Sequence, residues 1–80
     1  MRVGEAVRER ILELCHQQHL TVNKLSNISG VTQSTVNNII SGRNRSATIS
    51  TLKKLCDGFG ITIQEFFASD LFTDLEQEVK

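Results

Sequence analysis

Two short apolar stripes separated by a glycine constrain this chain more than any other feature. The first stripe ends at Ile28 and follows Thr21, which suits an N-cap. Gly30 suits the left-handed position that ends such a helix, and Thr32 can cap another helix after a turn of three or four residues. So short a turn predicts two helices that cross steeply.

The second helix predicted by this pattern is apolar on one side and polar on the other. Its apolar side carries Val36, Ile39 and Ile40, and Gly42 ends it. Its outward side carries Gln33, Ser34, Asn37, Asn38 and Ser41. A face that is merely solvated would more often carry Glu and Lys. Asn is a poor helix former, so these amides lower the helix propensity of the segment without an evident structural return. Two helices joined in this way can present the second helix to the major groove of DNA. Side-chain amides can form hydrogen bonds with adenine there, and hydroxyl groups can form them with several base edges.

The remaining apolar patterns predict three more helices and no strand. Helix 1 covers residues 4–18, a fourth helix covers 49–59 and a short fifth helix begins at Thr62. The candidate caps and terminators of the fourth helix are Thr48 or Ser50 and then Gly58 and Gly60. The fold expected is an all-α, compact five-helix bundle. We expect one domain over residues 1–68, with 69–80 as an acidic tail or short helix belonging to it.

The charges balance overall but are unevenly distributed. Residues 14–54 contain five basic and no acidic residues, whereas residues 55–80 contain six acidic residues and one lysine. This division predicts one face suited to a polyanion and another part of the surface kept away from it.

Phosphate contacts require donors around the rim of the reading helix. The candidates stand at the start of helix 2 and just after helix 3: Thr21, Val22 through its amide only, Asn23, Arg43, Asn44 and Arg45. A solvated surface charge is at least as good an explanation as a phosphate contact for three further basic residues, Lys24, Lys53 and Lys54.

The stretch from Leu20 to Ile61 resembles the Cro and phage-repressor type of helix-turn-helix, the XRE family. It contains the sequences LTVNKLSNISGVTQSTVNNIISGRN and TISTLKKLCDGFGIT. The framework of the resemblance is Leu25, Gly30, Val31, Val36, Gly42 and the Phe59-Gly60-Ile61 run. The resemblance implies a lambda-repressor-like bundle that binds double-stranded DNA and regulates transcription, with repression as the expected activity.

The resemblance also implies roles for individual residues. Base-reading positions fall on Gln33, Ser34, Asn37 and Asn38, with Thr32 at the edge. Thr21 and Val22 match the start of helix 2, where family members touch the DNA backbone. Many members pair a Glu late in helix 3 with an Arg in helix 1. Here Ile40 stands in that place, opposite Arg10, so that ion pair is not expected.

A further apolar surface is predicted near the end of the chain. Phe66 and Phe67 are adjacent and cannot both enter one small core, and Leu71 and Phe72 add apolar area. We expect these residues to form a homodimer interface. Two-fold symmetry then places a second reading helix about 34 Å away on a palindromic operator. The alternative is a protein-interaction module or antitoxin-type partner acting through the same surface.

Other functions are not indicated. No window has the roughly 18 consecutive apolar residues of a membrane helix, so we expect a cytoplasmic location. Cys15 and Cys56 fall within apolar helical patterns, which predicts buried free thiols. Cys15 and His19 share a helix face near His16, but a metal site would need further ligands. No nucleophile–base or carboxylate pair is arranged for catalysis. We therefore expect no enzyme activity, cofactor, metal or small-molecule ligand.

Overall fold

The computed structural model describes residues 1–43 and 47–79. Within those ranges the chain forms α-helices and one 3₁₀ turn, and no strand. The elements are α1 (Val3–Gln17), α2 (Val22–Ser29), α3 (Gln33–Ile40), α4 (Ile49–Phe59), α5 (Ile63–Phe67) and η1 (Asp70–Phe72). The prediction of an all-α five-helix fold is confirmed, although helix 1 begins and ends one residue earlier than expected.

Four of the helices begin at threonine. The side chains of Thr21, Thr32, Thr48 and Thr62 each accept a hydrogen bond from the backbone N–H three residues later, at 3.0–3.2 Å. Each such cap is worth about 1 kcal/mol because it satisfies an N–H group that has no partner inside the helix. The cap of α4 is therefore Thr48 and not Ser50.

All five helices contribute to a single core. The largest fully buried side chains are Ile11 from α1, Leu25 from α2, Val36 from α3, Leu55 and Cys56 from α4 and Phe66 from α5. Helices of eight residues are marginal in isolation, so α2 and α3 depend on this packing for their stability.

Two residues expected in the apolar stripes are exposed. Ile28 is 44% exposed because the buried side of α2 runs through Val22, Leu25 and Ser29, and Ile28 lies to one side of it. Ile49 is 67% exposed because it is the first residue of α4 and lies off the stripe that begins at Leu52.

Gly58 does not end α4, as the sequence had suggested, because the helix continues to Phe59. Gly60, with φ of 75°, is the left-handed residue that ends it. A Cβ on Gly58 would lie 2.9 Å from the Cβ and 3.1 Å from the Cα of Ser29. The missing side chain lets α2 pack directly on the backbone of α4.

Arg10 connects α1 to the end of α5. Its Nε donates to the carbonyl of Phe66 at 2.7 Å, its Nη2 donates to the carbonyl of Glu65 at 2.9 Å, and its Nη1 pairs with Glu13 at 2.5 Å. The side chain is only 13% exposed. The expectation that Arg10 faces Ile40 is therefore wrong, because the guanidinium satisfies the last carbonyls of α5 instead.

The acidic segment after α5 turns back towards the start of α1. The N–H of Glu76 donates to the carbonyl of Met1 at 3.1 Å, and its carboxylate lies 3.4 Å from the amino group of Met1. Arg2 and Glu78 form a second exposed ion pair at 3.2 Å. Exposed pairs of this kind contribute little stability, but they place Glu76 and Glu78 beside the start of α1.

The aromatic residues at this end form one cluster. The ring centroids of Phe67 and Phe72 lie 4.8 Å apart, and Phe66 lies 5.0 Å from Phe67. Phe66 is completely buried, so its assignment to a dimer surface is wrong. Phe67 and Leu71 are half-buried, as is Phe72. No helix among the described residues is long and apolar enough to cross a membrane.

Gly58→Ala tests the contact between α2 and α4. The added methyl group gains about 1 kcal/mol of helix propensity but overpacks the contact with Ser29, which costs roughly 1–3 kcal/mol. We expect urea denaturation to show a net loss of roughly 1 kcal/mol in the free energy of unfolding. Ser50→Ala, at an exposed position of the same helix, should be neutral or stabilising. A stabilised Gly58→Ala protein would contradict the close approach of the two helices.

Candidate DNA interface

The turn between α2 and α3 is braced by three hydrogen bonds. The Ser26 hydroxyl donates to the carbonyl of Val31 at 2.5 Å, and the N–H of Val31 donates to the Ser29 hydroxyl at 3.3 Å. The N–H of Gly30 donates to the carbonyl of Ser26 at 3.0 Å. Gly30 has φ of 73°, and Val31 is buried as the expected apolar plug. The turn therefore holds α3 at a defined angle to α2.

The outward side of α3 is polar and uncharged. Gln33, Ser34 and Asn37 are exposed, and Asn38 is half-buried. Val36 and Ile39 face the core from the opposite side. The fold thus brings the predicted base-contacting residues of α3 to one face, which extends over about 12 Å of helix axis with Ser41 included.

The side chains on this face differ in their free hydrogen-bonding capacity. Gln33, Ser34 and Asn37 make no side-chain hydrogen bond to another residue of 1–43 or 47–79. Thr32 is already engaged, because its hydroxyl accepts from the N–H of Thr35 at 3.2 Å and donates to the Thr35 hydroxyl at 2.9 Å. Thr32 therefore offers an incoming base edge mainly its methyl group.

The C-terminal end of α3 is tied to α1 by Arg8. The Nε of Arg8 donates to the carbonyl of Ile40, and its Nη1 pairs with Glu9 at 3.1 Å. The Ser41 hydroxyl donates to the carbonyl of Asn38 at 3.3 Å, and Gly42 then leaves the helix with φ of 81°. α1 and α3 are thus connected by an arginine–carbonyl contact at Ile40, where no Arg–Glu pair was expected.

The residues proposed to touch phosphates lie at both ends of this unit. Thr21 and Asn23 are exposed at the start of α2, while the side chain of Val22 packs against the core and leaves only its amide available. Arg43 is exposed just after α3. Asn44 and Arg45, which were also candidates, lie outside the described residues.

Three of the basic residues have no carboxylate partner within residues 1–43 and 47–79: Lys24, Arg43 and Lys54. Lys53, by contrast, pairs with Asp57 on the next turn of α4. The charge of Lys24, Arg43 and Lys54 is therefore available to a polyanion, whereas that of Lys53 is partly compensated within the chain.

Comparison with known families identifies the type of domain. Residues 10–69 match the Cro/C1-type HTH DNA-binding domain. This chain belongs to that family. Membership assigns a DNA-binding domain to the chain, and the resemblance deduced from the sequence is confirmed.

The family fold is also found in a solved structure. The crystal structure of the prophage Lp1 protein 11 superposes with a TM-score of 0.80 at 38% sequence identity, over 94% of this chain and all of that one. Among curated proteins, the HTH-type transcriptional regulators PuuR of Escherichia coli K12 and of Shigella flexneri are each 34% identical over 76 residues. The match covers 95% of this chain but 40% of each relative, so the chain spans about two fifths of their length.

None of the cysteines or histidines belongs to α3. Cys15 and Cys56 are buried free thiols, as predicted, and burial raises the pKa of both, which keeps them neutral at physiological pH. His16 and His19 are exposed. Within residues 1–43 and 47–79, no group of three or more potential ligands could hold a metal ion.

Sequence reasoning missed the contact of Arg8 with α3 and the backbone conformation of His19. Arg8 was not connected with α3, because it lies 32 residues from Ile40 and its acceptor is a backbone carbonyl, which leaves no pattern of opposite charges. His19 adopts φ of 56° in the turn between α1 and α2, a conformation more usual for glycine. The signal for His19 was its position directly after the last turn of α1.

Arg8→Ala should loosen the C-terminal end of α3. The loss leaves the carbonyl of Ile40 without its charged donor, which costs roughly 1 kcal/mol at this half-exposed position. We expect faster hydrogen exchange at the amides of Ser41 and Gly42, which bond to the carbonyls of Asn37 and Ile39. Arg2→Ala, which removes an exposed arginine from the start of α1, is the control. Equal exchange rates in both variants would contradict the anchoring role.

Proposed function

We propose that this chain is a sequence-specific regulator of transcription, acting as a repressor, that inserts α3 into the major groove of double-stranded DNA. The observation that carries the proposal is the outward face of α3. It is exposed, uncharged and rich in free donors and acceptors, and both ends of the helix are braced by neighbouring elements. A rigid helix with such a face suits direct reading of base edges.

The distribution of charge supports the same conclusion. The basic residues near the reading helix include Lys24 and Arg43, whereas acidic residues beyond α5 are held beside the start of α1 by Met1 and Arg2. Contacts with phosphates supply affinity and orientation, and contacts with bases supply specificity. The uncharged face of α3 and its basic surroundings divide these two tasks between different residues.

Association of two copies on DNA is part of the proposal. A helix face about 12 Å long covers only three or four base pairs, so one copy would discriminate poorly in a genome. Phe67, Leu71 and Phe72 are half-buried in the single chain and provide an apolar surface for a second copy. We expect a palindromic operator whose half-sites lie about one helical turn apart.

Selection from a random duplex pool at two salt concentrations tests the proposed function. We expect an enriched, roughly palindromic sequence whose affinity falls steeply as salt rises. Absence of enrichment, with no affinity even at low salt, would refute the proposal. It would favour instead the protein-interaction or antitoxin-type role through the apolar C-terminal surface.

Gln33→Ala and Arg43→Ala should separate base contacts from phosphate contacts. Loss of the Gln33 amide should cost roughly 1–3 kcal/mol on the selected sequence and relax the preference at one base pair. Loss of the Arg43 charge should weaken binding to all sequences alike and reduce the slope of affinity against salt by about one. Fluorescence anisotropy on selected and scrambled duplexes measures both effects. Equal losses on both duplexes from both variants would defeat this division of roles.

Leu71→Glu should weaken the association of two copies. Leu71 is half-buried but is not among the residues packed against the core, so the change should leave the fold intact. A buried charge at an apolar interface is costly, and we expect cooperative binding to a palindromic duplex to fall while binding to a single half-site is retained. Gln77→Glu adds the same charge at an exposed position of the same segment and is the matched control. Unchanged cooperativity in Leu71→Glu would place the interface elsewhere.

A further inference from the structure

We propose that the acidic end of the chain is an autoinhibitory strap. In the closed state Glu76 and Glu78 occupy the positive charges of Met1 and Arg2 at the start of α1, and DNA competes for the same charges and opens the strap. The inference rests on the DNA binding of the proposed function, but it concerns a part of the surface outside α2 and α3. The chain thereby limits its own affinity for DNA of any sequence.

The chain returns along α1 after α5 ends. Arg10, in α1, holds the last carbonyls of α5, and η1 then packs against α1. Glu76 and Glu78 follow and reach Met1 and Arg2. The segment after α5 therefore runs back from the middle of α1 to its start, and it is in contact with α1 at both ends.

The two parts of this segment are held in different ways. Phe72 packs against the core, and its ring centroid lies 4.8 Å from that of Phe67 and 6.0 Å from that of Phe66. Beyond residue 73, the polar contacts with other parts of residues 1–43 and 47–79 are one backbone hydrogen bond, from Glu76 to Met1, and two ion pairs. Phe72 is therefore an anchor, and the strap beyond it can detach while the core stays packed.

The ion pairs of the strap are exposed to competing charges. The carboxylate of Glu76 lies 3.4 Å from the amino group of Met1, and that of Glu78 lies 3.2 Å from Nη2 of Arg2. The side chains of the two glutamates are 61% and 52% exposed, and ion pairs so accessible to water are weak. DNA presents many phosphates at once and can displace carboxylates from the same cations. The strap is thus held loosely enough for DNA to open it.

The start of α1 lies within the electrostatic reach of DNA bound at α3. Arg8 extends from α1 to the carbonyl of Ile40, the last residue of α3. Arg2 precedes Arg8 by six residues, or about 9 Å along the helix axis. The Debye length is about 10 Å at 0.1 M salt and about 30 Å at 0.01 M. Phosphates beside the end of α3 therefore attract Arg2 and repel the carboxylates of the strap.

A double-mutant cycle on a scrambled duplex tests the competition. Glu78→Gln frees Arg2 and should raise affinity roughly two- to fivefold at low salt. Arg2→Gln alone should change affinity little, because that charge is already occupied, but it should remove the gain of Glu78→Gln. Asp74→Asn, the matched control, removes an exposed carboxylate of the same segment that has no ion pair within residues 1–43 and 47–79. Its effect should be smaller and independent of Arg2.

Hydrogen exchange at the amide of Glu76 reports the strap directly, because this N–H bonds to the carbonyl of Met1 in the closed state. We expect this amide to exchange several-fold faster when DNA is added, and also in Glu78→Gln without DNA. The amide of Phe72, which bonds to the carbonyl of Ser69, should keep its rate because the anchor stays in place. Circular dichroism of the variants checks that the helices remain formed.

The outcomes separate the strap from the proposed function. Faster exchange at Glu76 in the presence of DNA, together with a gain in affinity that depends on Arg2, supports the strap. A Glu76 amide that keeps its rate when DNA binds, or a gain in Glu78→Gln that persists with Arg2→Gln, overturns the strap and leaves DNA binding intact. A protein without affinity for any duplex, even at low salt, overturns both.

Discussion

The direct packing of α2 on the backbone of α4 at Gly58 determines where the helix-turn-helix, formed by α2 and α3, sits. α2 and α3 each have eight residues, too few to be stable as isolated helices, so their geometry comes from the elements that hold them. Gly58 allows Ser29, the last residue of α2, to approach α4 more closely than a side chain would permit. The braced turn that follows then transmits the position of α2 to α3.

Polar groups at helix ends complete this arrangement. Arg8 and Arg10 are two residues apart on α1, yet one binds the last carbonyl of α3 and the other binds the last carbonyls of α5. The carbonyls of Ile40 and Phe66 accept from no backbone N–H of the described residues, and these contacts satisfy them. They also connect the long first helix to α3, in the candidate interface, and to α5, in the aromatic cluster. α3 can therefore expose asparagines, which are poor helix formers, and still keep a defined position.

The positions of the charged residues matter more than their net charge. The chain has no net charge, and a DNA-binding surface would be unexpected from that number alone. The fold separates the signs, because the segment rich in acidic residues returns to Met1 and Arg2 at the start of α1. Lys24, on α2, and Arg43, just after α3, have no carboxylate partners among residues 1–43 and 47–79. Because acidic residues near the end of the chain pair with Met1 and Arg2, the positive charge of Lys24 and Arg43 stays available.

The sequence by itself determined the helices, their threonine caps, the turn at Gly30 and the polar face of α3, because each depends on residues within a few positions of one another. Helical spacing also identified most of the core, but not the exposure of Ile28 and Ile49, which depends on which side of each helix its neighbours cover. Only the tertiary structure decided that Phe66 is buried, that Gly58 is a contact and not a terminator, and that Arg8 and not Arg10 reaches α3. The physical reason is that these features join residues 29 to 56 positions apart, and a backbone carbonyl or a missing Cβ leaves no mark in the local pattern of side chains.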